Sequence, residues 1–572
     1  MEMRALLAII LSMLALTLYQ YFFVPAPAQL PPPPPGPQPA PVPMPEAQPA
    51  PSGAVLPTVR VSAVGAETAQ RVTVRAAEYV ARITNVGGRI ESFVLPGYST
   101  EGGEVLDLVN PQALAAGILP LGLATPSSPA AAAVPNEALF VLEVRGGSGL
   151  GDERVPTAEA PVEVSLRWAD GAGWFVEKTL LFPVDGNQIL LRVSATAPAG
   201  LPVYVSTGAG LDPSVQGSRN FFLSDGGVLL RNEDLDKWEP GDLEQRVALS
   251  GPARWAGIES NYFLAAFLLD RPADLEISRV ELPAAAGPED EAPQALETVS
   301  VALRVPRDGI ELPLYLGPKK YDYLKQQGYD LHRVIDFGWL GIIVRPLLVL
   351  LNWIYAFVGN YGVAIILLTV LLRLVFLPLN HKSMVSMRKT QSLQPQMAAI
   401  RAKYKGAKEA EKRQKMNEEI MGLYKREGVS PLGGCLPMLA QMPILFAFYR
   451  LLSISIELRA APFALWLHDL SRYDPYYVLP LTMGASMFVQ QRMTPVASAN
   501  PGQASVMRMM PVMFTFMFLK VPSGLVLYWL VNNLLGIAQQ VYINRKIEQD
   551  STSTKAHKQS KKGQRGKRGK KR

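Results

Sequence analysis

One arginine lies inside an otherwise uncharged apolar run, YGVAIILLTVLLRLVFLPL, at residues 361–379. On insertion scales an arginine at the centre of a bilayer costs about 2.5–3.5 kcal/mol, so Arg373 needs a polar neighbourhood or a route to the membrane surface. Leu379 is about 9 Å further along a helix, so snorkelling to the surface is one explanation. Thr369 lies one helical turn before Arg373 on the same face, which favours the other explanation, a polar site within the membrane.

Other apolar runs of the chain also contain polar residues. These residues are Gln441, Ser486, Gln490, Gln491, Asn532, Asn533, Gln539 and Gln540. Each of them alone is explained by one hydrogen bond between neighbouring helices. Together they exceed what helix packing needs, and they predict a water-filled groove in which Arg373 is the only fixed charge.

The composition indicates a membrane protein with two chemically different sides. Of the 572 residues, 48% are hydrophobic and 18% are charged. Lysine and arginine are concentrated in 382–426 and 545–572, which favours sidedness in a membrane over DNA binding. A single cysteine, Cys435, excludes an internal disulfide and a cysteine-based zinc site. Four scattered histidines and the lack of a phosphate-binding loop motif give no reason to expect a metal or another cofactor.

The N-terminal part of the sequence predicts three segments. Residues 1–24 contain an apolar run, 5–24, that is long enough for one transmembrane anchor, with a cleaved signal peptide as the alternative. Residues 25–56 are a proline-rich linker that cannot build a core. Residues 57–317 contain short runs with alternating apolar residues, separated by glycine, proline, aspartate and asparagine, which predicts an all-β domain.

The C-terminal half predicts a helical membrane core. After a connector, 318–358, the core occupies 359–545, with spans at 361–379, 436–456, 476–493, 508–519 and 524–543. Within the connector, 337–358 is interrupted by Arg345 and Pro346, and we expect it to lie in the membrane interface. If it spanned, the basic stretch after 380 would fall on the same side as the β domain, against the positive-inside rule. With the anchor, six spans place both termini on the cytoplasmic side.

The basic stretch 381–427 predicts a cytoplasmic hairpin of two helices. Apolar residues recur at helical spacing on one face of each helix. The residues on these faces are Leu393, Met397, Ile400 and Tyr404 in the first helix and Met416, Ile420, Leu423 and Tyr424 in the second. The tail, 546–572, is rich in lysine, arginine and glycine, and the sequence predicts a disordered segment that binds ribosomal RNA or anionic lipid.

Several strings of the C-terminal half resemble the YidC/Oxa family of membrane protein insertases, in their Gram-negative form. The strings are FGWLG, FVGNYGVAIILLTVLLRLVFLPL, SLQPQMAAI, LYKREGVSPLGGCLPMLAQMPI, ELRAAPFALWLHDLSRYDPYYVLP and VPSGLVLYWLVNNLLGIAQQ. They cover about residues 337–548 in the family's order and spacing.

The resemblance implies a fold and a set of site residues. The β domain would be a periplasmic β-super-sandwich of galactose-mutarotase type, and 361–543 would be a five-helix core around a hydrophilic groove. The groove residues would be Arg373, Thr369, Gln441, Tyr528, Trp529, Asn532 and Asn533. The slide for incoming transmembrane helices would include Met442, Pro443, Phe446, Met510, Phe514 and Phe518. Trp529 departs from the tyrosine that many relatives have at this position.

The resemblance also implies the function and the partners. The chain would insert and help fold membrane proteins in the bacterial inner membrane, alone or with the Sec translocon, without catalysis or nucleotide hydrolysis. Its partners would be nascent membrane proteins, the ribosome, Sec components and the lipid bilayer, but not DNA. A solute transporter or channel is the alternative, although the spans contain no paired carboxylates for proton coupling. A sugar-converting enzyme is disfavoured because 57–317 contains no histidine.

Overall fold

The structure is a computed structural model that describes residues 62–100, 103–126, 134–149, 151–211, 225–283, 295–404, 410–428, 436–493 and 501–568. The predicted anchor, 1–24, and the proline-rich linker, 25–56, lie outside the described residues. The described part consists of a β domain followed by a helical core.

The β domain contains nineteen strands among the described residues, and several of them alternate buried and less buried side chains, as a strand with one face on a core does. They are β1 (Arg71–Arg75), β2 (Val80–Thr84), β3 (Arg89–Ser99), β4 (Val105–Asp107), β5 (Leu123–Ala124), β6 (Val141–Arg145), β7 (Glu153–Arg154), β8 (Val162–Ala169), β9 (Phe175–Phe182), β10 (Gln188–Thr196), β11 (Val203–Ser206), β12 (Gly226–Arg231), β13 (Asp234–Trp238), β14 (Val247–Gly251), β15 (Trp255–Glu259), β16 (Phe263–Leu268), β17 (Ala273–Leu282), β18 (Leu296–Val305) and β19 (Ile310–Pro318).

Three sheets form the domain. A nine-stranded sheet has the order β13-β12-β15-β16-β19-β10-β9-β8-β6. Two five-stranded sheets have the orders β4-β3-β2-β1-β7 and β14-β17-β18-β11-β5. Nearly all pairs are antiparallel, and one hydrophobic core joins side chains from all three sheets. The all-β prediction for this part of the chain is therefore confirmed.

The middle of the large sheet is buried on both faces. In β16, Phe263, Ala265 and Phe267 face the core of the β domain, whereas Leu264, Ala266 and Leu268 face a second core. The second core continues through the connector into the helical core. Because neighbouring strand residues point to opposite faces, the run FLAAFL supplies both cores at once. The β domain is therefore packed on the helices as well as tethered to them.

In the part of the chain that the structure describes, the α-helices are α1 (Pro111–Ala115) in the β domain, α2 (Tyr321–Gln326) and α3 (Gly341–Val358) in the connector, and eight more in the core. The core helices are α4 (Tyr361–Val375), α5 (Leu377–Ser392), α6 (Gln394–Lys403), α7 (Ala410–Arg426), α8 (Leu436–Ile454), α9 (Val478–Met493), α10 (Pro501–Phe518) and α11 (Ser523–Arg568).

The first predicted span of the core is bent. The sequence predicts one straight span over 361–379, but α4 ends at Val375 and the following helix turns away by 61°. Pro378 explains the break because its ring removes a backbone donor and clashes with the carbonyl four residues earlier. The bend lies directly after the turn that holds Arg373.

The predicted cytoplasmic hairpin contains three helices instead of two. Its first arm breaks at Leu393, two residues before Pro395, so α5 and α6 are separate helices. Six of the residues predicted on the two faces pack in one small core, namely Leu393, Met397, Ile400, Ile420, Leu423 and Tyr424. Tyr404 and Met416 are half-buried outside this core.

The last helix is much longer than the predicted span 524–543. The structure continues α11 through Arg568, whereas the composition of the tail 546–572 predicts disorder. Extending an existing helix avoids the nucleation cost, and most of the tail residues are good helix formers. Helix α10 also begins earlier than its predicted span, at Pro501 instead of 508.

One described helix, Gly338–Val358, is long and apolar enough to cross a membrane by itself. The bent pair Tyr361–Val375 and Leu377–Met387 passes the same test as a unit, and Gln441–Ile454 and Arg508–Phe518 are shorter apolar stretches. The helix at 338–358 is the segment that we expect in the membrane interface. Its position there, and the six-span topology, stay predictions.

A buried ion pair lies where the β domain meets the connector. Glu259 at the end of β15 is 2.7 Å from Lys319, and both side chains are at most 5% exposed. Lys237 is 2.8 Å from the other carboxylate oxygen. Burial by itself would raise the pKa of Glu259, but the two lysine charges and their hydrogen bonds outweigh burial and lower that pKa to about 2.

We predict that Glu259→Gln destabilises the β domain at neutral pH by about 3–5 kcal/mol, because it leaves buried Lys319 without its counter-charge. The contribution of ionised Glu259 is fully present above its unfolded pKa of about 4.5 and is lost as pH falls towards 2. The difference in melting temperature between the purified full-length wild type and variant should therefore shrink over that pH range. Glu153→Gln is the control, since its pair with Arg75 is about half exposed. A pH-independent difference, or equal effects of both substitutions, would contradict the prediction.

Candidate functional site

Arg373 lies in the last turn of α4 and points towards α11. Its Nη1 donates a hydrogen bond to Oδ1 of Asn532, with a donor–acceptor distance of 3.3 Å. Its Nε is buried and has no hydrogen-bond partner among the described residues. A guanidinium has five donor hydrogens, so this arrangement leaves binding capacity for a further acceptor.

Arg373 borders a small cavity between four helices. The lining residues are Thr369, Leu372, Arg373, Phe376, Asn380, Gln441, Ile444, Tyr528 and Asn532. They come from α4, α5, α8 and α11. The cavity of about 20 Å³ has room for about one water molecule. Thr369, Gln441, Tyr528 and Asn532 are therefore brought together with Arg373, as expected from the sequence.

The neighbours of Arg373 are held in place by the helices that carry them. Thr369 is fully buried, and its hydroxyl donates to the carbonyl of Ile365 at 2.6 Å. The ring of Tyr528 stacks on Phe448 with a centroid distance of 4.3 Å. The Tyr528 and Gln441 side chains both border the cavity. These contacts fix the polar groups around the cavity. Because the Thr369 hydroxyl acts as a donor to Ile365, its oxygen can still accept a hydrogen bond.

Two residues predicted for the groove lie elsewhere. Asn533 donates to Ser486 at 3.0 Å and so connects α11 to α9. Trp529 packs against Phe514 and Phe518 of α10, with centroid distances of 5.8 and 5.5 Å. Successive helix residues differ by about 100° in direction, and of Asn532 and Asn533 it is Asn532 that lines the cavity.

The residues predicted for the slide divide into two groups. On α8, Met442 and Phe446 are exposed and Pro443 is half-buried. On α10, Phe518 is buried, and Met510 and Phe514 are half-buried. The exposed apolar face of α10 is instead made by Met509, Val512, Met513, Phe516 and Met517.

Two residues near Arg373 are missing from the sequence prediction. Asn380 lines the cavity because the bend at Pro378 turns the start of α5 inwards, which a straight span does not suggest. Gly536 of α11 lies directly beside the side chains of Arg373 and Gln490. A Cβ added at Gly536 would be 2.7 Å from both Nη2 of Arg373 and Nε2 of Gln490. A glycine inside an apolar helical run is a signal of such close approach.

Comparison with known families covers nearly all of the described chain. The family model described as YidC periplasmic domain matches residues 71–350, and the model described as 60Kd inner membrane protein matches 353–550. A membrane protein insertase YidC from Geobacter sp. strain M21 is 40% identical over 84% of this chain and 86% of its own length. The one from Syntrophus aciditrophicus is 35% identical over 96% and 100%, respectively.

The chain belongs to the YidC family of membrane protein insertases. The resemblance found in the sequence is thereby confirmed. Relatives of the YidC family are inner-membrane proteins with a periplasmic domain, and the matched models name no catalytic family. The β domain described above is the part matched as periplasmic.

Solved structures with similarity to this YidC-family chain include an active YidC insertase resolved with its first transmembrane domain. It has 18% sequence identity and a TM-score of 0.35, over 83% of this chain and 93% of that chain. A GalM/aldose epimerase homologue from C. elegans matches 44% of this chain and 99% of its own, with 11% identity and a TM-score of 0.23.

We predict that Gly536→Ala lowers insertion activity several-fold in this YidC-family chain while the protein still folds. The added methyl group meets only the far ends of Arg373 and Gln490, which can move aside, so the cavity changes but the helix packing survives. The measurement is insertion of a single-spanning test protein into proteoliposomes, with melting temperature as the folding check. Gly422→Ala is the matched control because its Cβ would meet nothing within 4 Å. If the Gly536→Ala variant inserts the test protein at the wild-type rate, the shape of the cavity beside Arg373 does not affect insertion.

Proposed function

We propose that the cavity around Arg373 receives the hydrophilic part of an incoming membrane protein during insertion. The observation that carries this proposal is the buried, unpartnered Nε of Arg373 beside Thr369, Gln441 and Asn532. A buried donor without a partner costs free energy, so the site is better satisfied when a ligand supplies an acceptor. A carboxylate or a backbone carbonyl of the substrate would do so, and the positive charge favours the carboxylate.

The physical benefit is a lower barrier for polar groups that cross the membrane. An unsatisfied backbone group costs several kcal/mol in hydrocarbon, so a polar segment cannot cross lipid unaided. A cavity that offers hydrogen bonds and one cation replaces part of the lost hydration. The gain comes from binding alone, so the step needs no nucleotide.

The apolar part of the substrate would move along α8 and α10 into lipid. Met442 and Phe446 on α8 are exposed, and five apolar side chains of α10 form a second exposed face. Methionine adapts its shape to different partners, which suits a surface that contacts many transmembrane sequences. This proposal keeps α8 as the slide and moves the contact face of α10 from Met510, Phe514 and Phe518 to the exposed side.

The same proposal gives the chain an orientation and a set of partners. Both termini would be cytoplasmic, with the basic hairpin and the tail on that side, as the positive-inside rule favours. The hairpin would be mobile near the cavity opening. The basic tail would contact ribosomal RNA or anionic lipid, and the chain would work alone or beside the Sec translocon.

The first experiment is depletion of the chain from its own cells. Sec-independent and single-spanning test proteins should then accumulate uninserted, and a plasmid copy of the wild-type chain should restore insertion. Normal insertion in depleted cells would refute the proposed function.

We predict that Arg373→Glu lowers insertion of a substrate with an acidic translocated segment at least tenfold, whereas Arg373→Lys lowers it only a few-fold. The lysine keeps the charge but loses the planar fork, and the glutamate repels the substrate carboxylates. Reconstituted insertion is the measurement. Arg492→Glu is the matched charge reversal, since Arg492 lies over the exposed ring of Phe488 away from the cavity. If both Arg373 variants insert the substrate as well as the wild type does, Arg373 has no role in insertion and only reaches towards the membrane surface.

A further inference from the structure

Three methionines form a stripe along the exposed face of α10. Met509, Met513 and Met517 follow one another at four-residue intervals, and their side chains are between 52% and 56% exposed. Residues four apart lie on the same face of a helix, about 6 Å from one another along its axis. Three thioether groups are therefore presented side by side at the surface, and we call these three residues the methionine stripe.

The methionine stripe is part of a wider apolar surface. Val512 and Phe516 are exposed beside it, and at about 100° per residue the five side chains cover an arc of about 140° around α10. The other face of the helix packs inside the core. There Phe518 is buried, and the ring of Phe514 lies 5.8 Å from that of Trp529. The stripe is therefore on the side of α10 that molecules outside the core can contact.

The surroundings of the methionine stripe decide which reagents reach it. No residue from Met509 to Phe518 is charged, and Arg508–Phe518 is one of the apolar stretches of the core. In the predicted span 508–519 the stripe faces lipid or the apolar part of a substrate instead of water. A reagent that dissolves in lipid is therefore concentrated around the stripe, whereas a reagent that prefers water is depleted there.

Methionine is the residue type of this surface that an oxidant can modify reversibly. With an organic hydroperoxide, the thioether sulfur attacks the terminal oxygen, so that an S–O bond forms and the O–O bond breaks. The hydroxyl proton moves to the departing alkoxide, which leaves as an alcohol. The sulfur is oxidised by two electrons and the hydroperoxide is reduced by two. The product, methionine sulfoxide, is polar, and reductases specific for each of its two epimers return it to methionine.

We propose that Met509, Met513 and Met517 are an oxidation site through which lipid-soluble hydroperoxides reversibly inactivate insertion. The inference rests on the proposed function, in which this face of α10 contacts the apolar part of the substrate. A sulfoxide oxygen is a hydrogen-bond acceptor, and neither lipid chains nor an apolar helix supply a donor, so its burial there is unfavourable. Three neighbouring sulfoxides make an apolar contact surface polar, which weakens its contact with a transmembrane segment.

Two other methionines of the chain serve as internal comparisons. Met483 of α9 is fully buried, so an oxidant reaches its sulfur only when the helices separate. Met421 of α7 is 47% exposed, close to the exposure of the stripe, but it lies in the basic hairpin outside the predicted spans. Met483 therefore tests the effect of burial, and Met421 tests the effect of a lipid environment.

The first test follows oxidation of the full-length protein in liposomes by peptide mass spectrometry. With cumene hydroperoxide, which dissolves in lipid, we expect the methionine stripe to be oxidised at least about tenfold faster than Met483 and several-fold faster than Met421. With hydrogen peroxide, which prefers water, Met421 should react faster than the stripe. A stripe that reacts no faster than Met483, or an unchanged order of rates with the two oxidants, would overturn the proposal.

The second test measures insertion of a single-spanning test protein before and after cumene hydroperoxide. The oxidised wild type should retain at most about a fifth of its rate, and both sulfoxide reductases, applied in detergent before reconstitution, should restore most of it. In the triple variant Met509→Leu/Met513→Leu/Met517→Leu, leucine has a similar volume and forms no sulfoxide. Its rate after the oxidant should therefore stay within about twofold of its own rate before. Met421→Leu is the matched control and should lose as much activity as the wild type.

The outcomes separate the oxidation site from the proposed function. An unoxidised wild type that inserts nothing would refute the proposed function, while the oxidation pattern of the methionine stripe would stand. Full insertion by wild type with a fully oxidised stripe, or equal losses in the wild type and the triple variant, would overturn the oxidation site alone. If the triple variant does not fold, the reductases decide, because an oxidised wild type that they repair chemically but do not reactivate would also overturn it.

Discussion

The cost of keeping one positive charge among apolar helices is the constraint on which the rest of the core depends. Arg373 has a hydrogen bond to Asn532 at 3.3 Å, which is long for a charged donor. The charge is tolerated because α4, α5, α8 and α11 each turn a polar group towards it and because Gly536 leaves room beside it. Proline at position 378 contributes as well, since the bend that it causes brings Asn380 to the same cavity.

The helical core differs on the two sides of the Arg373 cavity. The end towards the β domain combines buried aliphatic side chains with backbone carbonyls that complete the first turn of α11. The other end carries the break at Pro378 and a hairpin whose own core is only a few side chains. A small core holds an element weakly, so the hairpin is the part of the described core best able to move.

The β domain contributes to the helical core through packing as well as through its tether. Alternate residues of β16 belong to the core of the sandwich and to the core shared with the helices. The buried pair of Glu259 and Lys319 lies at the same junction, and Asn261 donates to the carbonyl of Ser453 near the end of α8. The position of α8, whose outer face we assign to substrate, is therefore set partly by the periplasmic domain.

The sequence by itself determined that an all-β domain is followed by apolar helices, and it singled out Arg373 as the residue to test first. Alternating apolar residues are a local pattern, so the all-β domain could be predicted from them, and Arg373 stood out because charge in an apolar run is expensive. The order and spacing of the motifs were specific enough to identify the family. Helix-period patterns likewise placed Met397, Ile400, Ile420 and Leu423 on faces that meet.

The tertiary structure alone decided which polar residues share a cavity. Asn532 and Asn533 are adjacent in sequence and equally polar, yet helix rotation sends one to Arg373 and the other to Ser486. The placement of neighbouring helices also decides three other features. These are which face of α10 is buried, the position of Asn380 at the cavity, and the close approach of Gly536 to Arg373. Sequence periodicity gives the faces of a helix but not the partner that each face meets, because that choice depends on packing between segments far apart in the chain.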